Sequence, residues 1–110
     1  MASHSRKKGR EGERELADYL TKYGFPALRN EGNGAGGEDV SHSIAGVWLE
    51  VSRAEAVSFP AKYRQALKAS KGKVPIVVHR YNRSPWMVYC TLDYVVSLWQ
   101  AERYTPKEEA

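Results

Sequence analysis

One cysteine, Cys90, in a chain of 110 residues rules out an internal disulfide and fits a reducing compartment. No apolar stretch approaches the length that spans a membrane, and the N-terminus lacks a signal-peptide core. The cytoplasm is therefore the expected location, with no membrane partner. The three histidines lack the spacing of a zinc site. No internal repeat, low-complexity tract or interdomain linker interrupts the chain. Acidic residues are the minority charge: 13 Asp and Glu against 17 Lys and Arg give a formal net charge of +4, which favours a polyanionic partner. With 42% hydrophobic residues, the chain reads as one domain over 1–110 with a modest core, a flexible basic arm at 1–8 and a frayed tail at 103–110.

Against that plain background stands Asp39, followed by Glu50-Val51-Ser52 inside an apolar run. Val47 to Ser52 is rich in β-branched and aromatic residues and follows the turn-like Ala45-Gly46, so it reads as a strand. Strand alternation puts Trp48, Glu50 and Ser52 on one face and Leu49, Val51 and Arg53 on the other. A carboxylate amid apolar strand residues is costly to desolvate unless a cation, a proton or good donors compensate it. Asp39 comes beside Glu50 if Asp39 to His42 pairs antiparallel with Val47 to Val51 through the short Ser43–Gly46 loop, after the flexible Gly32–Gly37 stretch. Two carboxylates, the Val51 main-chain carbonyl and waters make an all-oxygen site suited to Mg²⁺, with Mn²⁺ as a substitute. The alternative is an exposed turn aspartate and a strand glutamate paired with an arginine.

Before this strand, Leu16, Tyr19, Leu20 and Tyr23 mark the buried stripe of a helix that ends before Gly24. Glu13 falls on the core side of that helix and Glu11 on the solvated side. After the strand, Ser58-Phe59-Pro60 opens a second helix with an inward stripe of Tyr63, Ala66, Leu67 and Ser70, ended by Gly72. Val74 to His79 is a buried-strand run, and Arg80 to Pro85 turns into a second strand, Trp86 to Cys90, to give a hairpin. Cys90 reads as a buried strand residue, not a nucleophile. Asp93 is the expected cap of a last helix with Tyr94, Val95, Leu98 and Trp99 as its apolar surface.

Taken together, Lys8-Gly9-Arg10-Glu11-Gly12-Glu13-Arg14-Glu15, Gly24-Phe25-Pro26-Ala27-Leu28-Arg29, Gly37-Glu38-Asp39-Val40 and Leu49-Glu50-Val51-Ser52 resemble, in order and spacing, archaeal-type Holliday junction resolvases of the PD-(D/E)xK superfamily. Small resolvase-like nucleases of phage genomes look alike too. The likeness runs from about Arg6 to Trp99. It implies an α/β, restriction-endonuclease-like core: a mixed central sheet flanked by helices. It also implies a metal centre served by Glu13, Asp39 and Glu50, and backbone contacts from Arg14 and Arg29. A homodimer that cuts opposing strands of branched DNA is implied as well, in the host cytoplasm or nucleoid if phage-encoded.

The pattern departs from the family at one place: Ser52 stands where those enzymes carry the lysine thought to orient the attacking water and stabilise charge on phosphorus. Three readings stay open: another cation does the work, the chain is a catalytically silent DNA- or junction-binding descendant, or the serine is a silencing substitution. Lys62 is the internal substitute, on the second helix with Gln65 at i, i+3. If chemistry survives, the expected reaction is metal-assisted phosphodiester hydrolysis, on a junction or on ordinary duplex as in repair or restriction-type nucleases. Arg6, Lys7, Lys8 and Arg10 are expected to track the phosphate backbone through counterion release, with Arg53 near the site as a further contact. Trp86 is expected in the core, and the last helix and Trp86 hairpin are the candidate dimer surfaces.

Overall fold

The computed structural model describes residues 2–30, 39–53 and 56–104, with the backbone alone described at 2–8, 103 and 104. Its elements run α1 (Ala2–Lys22), β1 (Ala27–Arg29), β2 (Val40–His42), β3 (Val47–Ser52), α2 (Phe59–Ala69), β4 (Val74–His79), β5 (Met87–Tyr89) and α3 (Leu92–Tyr104). The expected mixed sheet is present as β3-β4-β5, parallel between β3 and β4 and antiparallel between β4 and β5. A second, two-stranded antiparallel sheet joins β1 to β2.

The pairing of β2 corrects the expected hairpin. Its partner is β1, in register Ala27↔His42, Leu28↔Ser41 and Arg29↔Val40, and not β3. Two flanking bonds, Asn30 N to the Asp39 carbonyl at 2.9 Å and Ser43 N to the Pro26 carbonyl at 3.1 Å, extend that ladder at both ends. β3, buried at all six positions, pairs with β4 from Val47↔Val74 to Ser52↔His79, and α2 makes the crossover. A run apolar on both faces suits a covered parallel strand better than a two-stranded hairpin with one wet face.

The core lies between α1 and one face of this sheet. Leu16 and Ala17 of α1 pack with Ala27, Val40, Val47, Leu49, Val51 and Val78, and Leu20, Ile44, Ile76, Trp86 and Tyr94 close its edges. Trp86 is thus a core-edge residue, as expected. Tyr19 and Tyr23 are not: both are exposed and lean on each other, ring centroids 4.9 Å apart. The buried face of α1 is centred on Glu13, Leu16, Ala17 and Leu20, which leaves Tyr19 at its margin and Tyr23 beyond the helix end. Gly24, at φ +94°, ends α1 in a Schellman turn, with Phe25 N donating to the Leu20 carbonyl and Gly24 N to that of Thr21.

Where α1 crosses β3 the two elements approach closely. A Cβ at Gly12 would collide with the side chain of Arg53, which passes over the helix there. The helix begins at Ala2, so the basic segment read as an arm has helical backbone, although the side chains of Arg6, Lys7 and Lys8 lie outside the described residues. So do the Gly32–Gly37 stretch and the tail beyond Tyr104.

Three expectations in the second half shift by a residue or a face. Ser58 caps α2 through Ala61 N at 3.3 Å, but the inward stripe is Phe59, Lys62, Tyr63, Ala66 and Ser70, while Leu67 is exposed. Thr91, not Asp93, caps α3, its Oγ1 accepting from Tyr94 N at 3.2 Å, and Asp93 falls within the first turn. Cys90 lies just past β5, half-buried, and burial pushes its thiol up, away from nucleophile character. No helix among the described residues is long and apolar enough to cross a membrane.

Candidate active site

The two faces of β3 do different work. Val47, Leu49 and Val51 meet the α1 core, while Trp48, Glu50 and Ser52 point to the other face, covered by α2. Register carries the second face across the sheet: Glu50 lies beside Val77, Ser52 beside His79, and Val77 beside Tyr89. Glu50 is 9% exposed, and its Oε1 accepts one long bond, from Trp48 Nε1 at 3.4 Å. Burial is the main force pushing its carboxyl above the usual range, repulsion from Asp39 adds to it, and Trp48 and Lys62 oppose.

Lys62 therefore stands close enough to attract Glu50. It occupies the inward stripe of α2 with Phe59 and Ala66, while Gln65, three residues on, is exposed. Asp39 is held at the head of β2 by its carbonyl's bond from Asn30 and by the fully buried Val40 that follows. It bears electrostatically on both Glu50 and Glu13. Glu13 is tied to Arg29, whose Nε donates to Oε1 at 3.0 Å, yet its carboxyl also titrates high because burial and Asp39 outweigh that guanidinium. Three carboxylates read from sequence as one centre thus form an interacting acidic group, with Arg29 engaged on its α1 side.

The backbone adds a donor. Arg80 N donates to the Ser52 carbonyl at 3.3 Å, so Ser52 faces β4, and by alternation the Val51 carbonyl points to the edge of β3 away from β4. Ser52 itself is 5% exposed, and its Oγ is buried with no hydrogen-bond partner among the described residues. No three His, Cys, Asp or Glu side chains among the described residues converge closely enough to enclose an ion. Mg²⁺ is held by one or two carboxylates and completes its shell with water and substrate phosphate oxygens. Two mutually repelling carboxylates, one of them desolvated, suit such a cation.

The basic residues divide by their engagement. Arg10 and Arg14 are exposed on α1. Arg53 is occupied: Nη1 donates to the Arg80 carbonyl at 2.8 Å, Nη2 to Asn82 Oδ1 at 3.0 Å, and Nε lies 3.0 Å from Glu15 Oε1. The last pair is close but poorly aligned, a contact ion pair without a hydrogen bond.

Sequence reasoning missed an aromatic cluster beside these residues. His79, fully buried and in register with Ser52, sits edge-on between Phe59 at 5.4 Å and Tyr81 at 4.3 Å. Phe59 stacks on Tyr89 at 5.5 Å, and Tyr63 meets Tyr89 edge-on at 6.0 Å. The available signal was Phe59 and Tyr63 at i, i+4 flanking Lys62, a spacing that puts all three on one helix face.

The raised carboxyls carry a stability consequence. A folded carboxyl that titrates above its ordinary 4.5 costs stability at higher pH, and that cost disappears as pH falls to the unfolded value. Glu50→Gln is therefore expected to raise the melting temperature of the metal-free protein at neutral pH, with the difference from wild type vanishing near pH 4.5. A melting difference independent of pH would show that Glu50's charge is not what the fold bears.

No protein-family model and no curated protein matches the chain. Among solved structures, it is similar to Hjc of Archaeoglobus fulgidus, a Holliday junction resolvase from an archaeal hyperthermophile, at 22% identity and a TM-score of 0.57. The match covers 74% of this chain and 76% of that one. The fold is thereby the one the sequence motifs implied: an α/β core like that of an archaeal Holliday junction resolvase.

Proposed function

We propose that this protein is a divalent-metal-dependent, structure-selective DNA endonuclease that hydrolyses phosphodiester bonds in branched DNA as a Holliday junction resolvase. One observation carries the reading: a desolvated Glu50, repelled by Asp39 and attracted by Lys62, sits within a resolvase-type fold. Asp39, Glu50 and the Val51 carbonyl hold the ion, Mg²⁺ or Mn²⁺. When bound, that ion supplies a nucleophile at neutral pH and offsets charge on the scissile phosphate.

The protein's own groups do the rest. Lys62 presents the positive charge that Ser52 lacks, close to the reacting phosphate, while α2 and the aromatic cluster shield the Glu50 face from bulk water. Glu13 orients Arg29 toward the phosphate backbone and completes the acidic group. Arg10 and Arg14, with Arg6, Lys7 and Lys8 before them, extend the backbone contact along α1. Two copies pair through exposed apolar surface, for which Met87 and Val88 of β5 and Leu92, Leu98 and Trp99 of α3 are the candidates. Pairing sets two active sites against opposing strands.

Ser52 favours a second reading, a silent junction-binding protein on the same scaffold, because the strand position next to Glu50 carries no charge. Incubating a labelled four-way junction and a matched linear duplex with the protein separates the readings. Paired cuts in the junction with Mg²⁺, absent with a chelator, are expected. Equal cutting of the duplex would replace junction selectivity by general nuclease action, and tight junction binding without cutting would give the silent reading its place.

A further inference from the structure

The aromatic cluster ends at the surface in Tyr81, which is 40% exposed although its edge rests on the buried His79. Its backbone is held on both sides. Arg53 donates to the Arg80 carbonyl before it and to the Asn82 side chain after it, and Ser84 N closes a turn onto the Tyr81 carbonyl at 3.2 Å. Arg80 Nε donates to the Ser84 carbonyl at 2.8 Å, and its guanidinium lies over Trp86. An exposed aromatic ring on a mobile loop is common, but one fixed by this many bonds has lost most of the freedom that binding would otherwise cost.

Its position is as informative as its rigidity. Tyr81 follows His79, which is in register with Ser52, two residues along the same strand face from Glu50. The ring thus stands just past the end of β4 at which His79 pairs Ser52, with exposed Arg83 two residues on. Cationic and aromatic groups side by side match a nucleotide's two halves: phosphate for the first, the π-face of the base for the second. A base paired inside a continuous duplex offers no free face. A base at a strand exchange point does.

We propose that Tyr81, backed by His79 and Phe59, is a stacking platform for a nucleobase whose stacking is interrupted at a strand exchange point, adjacent to the phosphodiester held at Glu50. The assignment rests on the proposed DNA-cleaving function and adds to it a means of selecting branched over linear DNA: a base face already freed from its stack costs less to engage than one that must be unstacked from a continuous duplex. Specificity for base identity is not built in, since every base has a π-face.

The test measures binding separately from cutting, using fluorescence anisotropy of a labelled four-way junction with Ca²⁺ in place of Mg²⁺. Tyr81→Leu is expected to weaken junction binding by roughly tenfold to a hundredfold, the range of one lost base stack, and Tyr81→Phe to bind like wild type. On a junction with abasic residues at the exchange point, wild type and Tyr81→Leu are expected to bind equally. Equal loss on intact and abasic junctions, or no loss on either, overturns the platform. A single-stranded oligonucleotide with and without an abasic site runs the same comparison if the protein proves not to cut junctions, so failure of the nuclease reading and failure of the platform are told apart.

Discussion

Replacing Lys62 with methionine is expected to lower Mg²⁺-dependent cleavage of a four-way junction by about a hundred- to a thousandfold, the usual cost of removing one donor aimed at transition-state charge. The expectation comes from the stripe of α2. Phe59, Lys62 and Ala66 share the face that covers Glu50, and Lys62 is the cation that counters the carboxyl's burial. Methionine keeps the length and packing of the side chain and removes only its charge. Single-turnover rates at saturating protein are the proper readout, because they exclude a change in binding. Ser52→Lys in the wild-type background is expected to add little, and in the Lys62→Met background to restore most of the loss. A large gain from Ser52→Lys alone, with Lys62→Met indifferent, would return the chain to the silenced-resolvase reading.

The second large effect concerns the acids. Asp39→Asn and Glu50→Gln are each expected to reduce cleavage by about a thousandfold, the scale of several kcal/mol of transition-state charge stabilisation. Junction binding should be unchanged or tighter in both, since each variant removes a negative charge facing phosphate. Mg²⁺ is expected to raise the melting temperature of wild type by binding the folded state alone, about 2.7 kcal/mol at a hundredfold excess over Kd, and both variants are expected to lose that rise. Retained cleavage in either variant would remove that residue from the site. Retained metal stabilisation with lost cleavage would move it from metal holding to phosphate positioning.

The outcome for Glu50 draws on a conflict visible in the sequence alone. A carboxylate in Val47 to Ser52 breaks the apolar pattern of its own strand, and the structure leaves it buried beside another acid, with no guanidinium among the described residues bonded to it. Local rules fail where a site needs them to. The long elements were legible for the complementary reason. β3, β4 and α2 have enough residues for alternation, apolar runs and a proline at the first turn to agree.

β1 was not legible. Ala27–Arg29 has three residues, too few for a period, and it exists because Asn30 and Ser43 extend its ladder with β2. Missing β1 left β2 free in the sequence reading to take the wrong partner. Tyr19 and Tyr23 were misplaced for a related reason: an i, i+4 aromatic pair fits a buried stripe as well as it fits two rings leaning on each other in water. Periodicity reports which residues share a face, not whether that face meets anything.

Lys62 was only half legible. Asp39 and Glu50 supply an acidic wall from the motif, and Lys62 with Gln65 is the candidate on the next helix, but the inward stripe that the sequence suggests for α2 is Tyr63, Ala66, Leu67 and Ser70. Lys62 joins the inward face only in the structure, where Gln65 is exposed. His79 had no comparable partner in the sequence. Its ring meets Phe59 and Tyr81, and Phe59 in turn stacks on Tyr89, so the cluster joins three separate segments through register and the α2 crossover.

The crowding of Arg53 against Gly12 ties together two distant parts of the chain. Arg53 reaches over α1 because position 12 has no side chain, and from there its guanidinium grips the turn that carries Tyr81. Any larger residue at 12 would have to displace the Arg53 side chain, and with it the grip on that turn. Positions 12 and 53 are thereby coupled through space, and a substitution at 12 is expected to loosen the turn at 80–84 as well as the helix–strand contact.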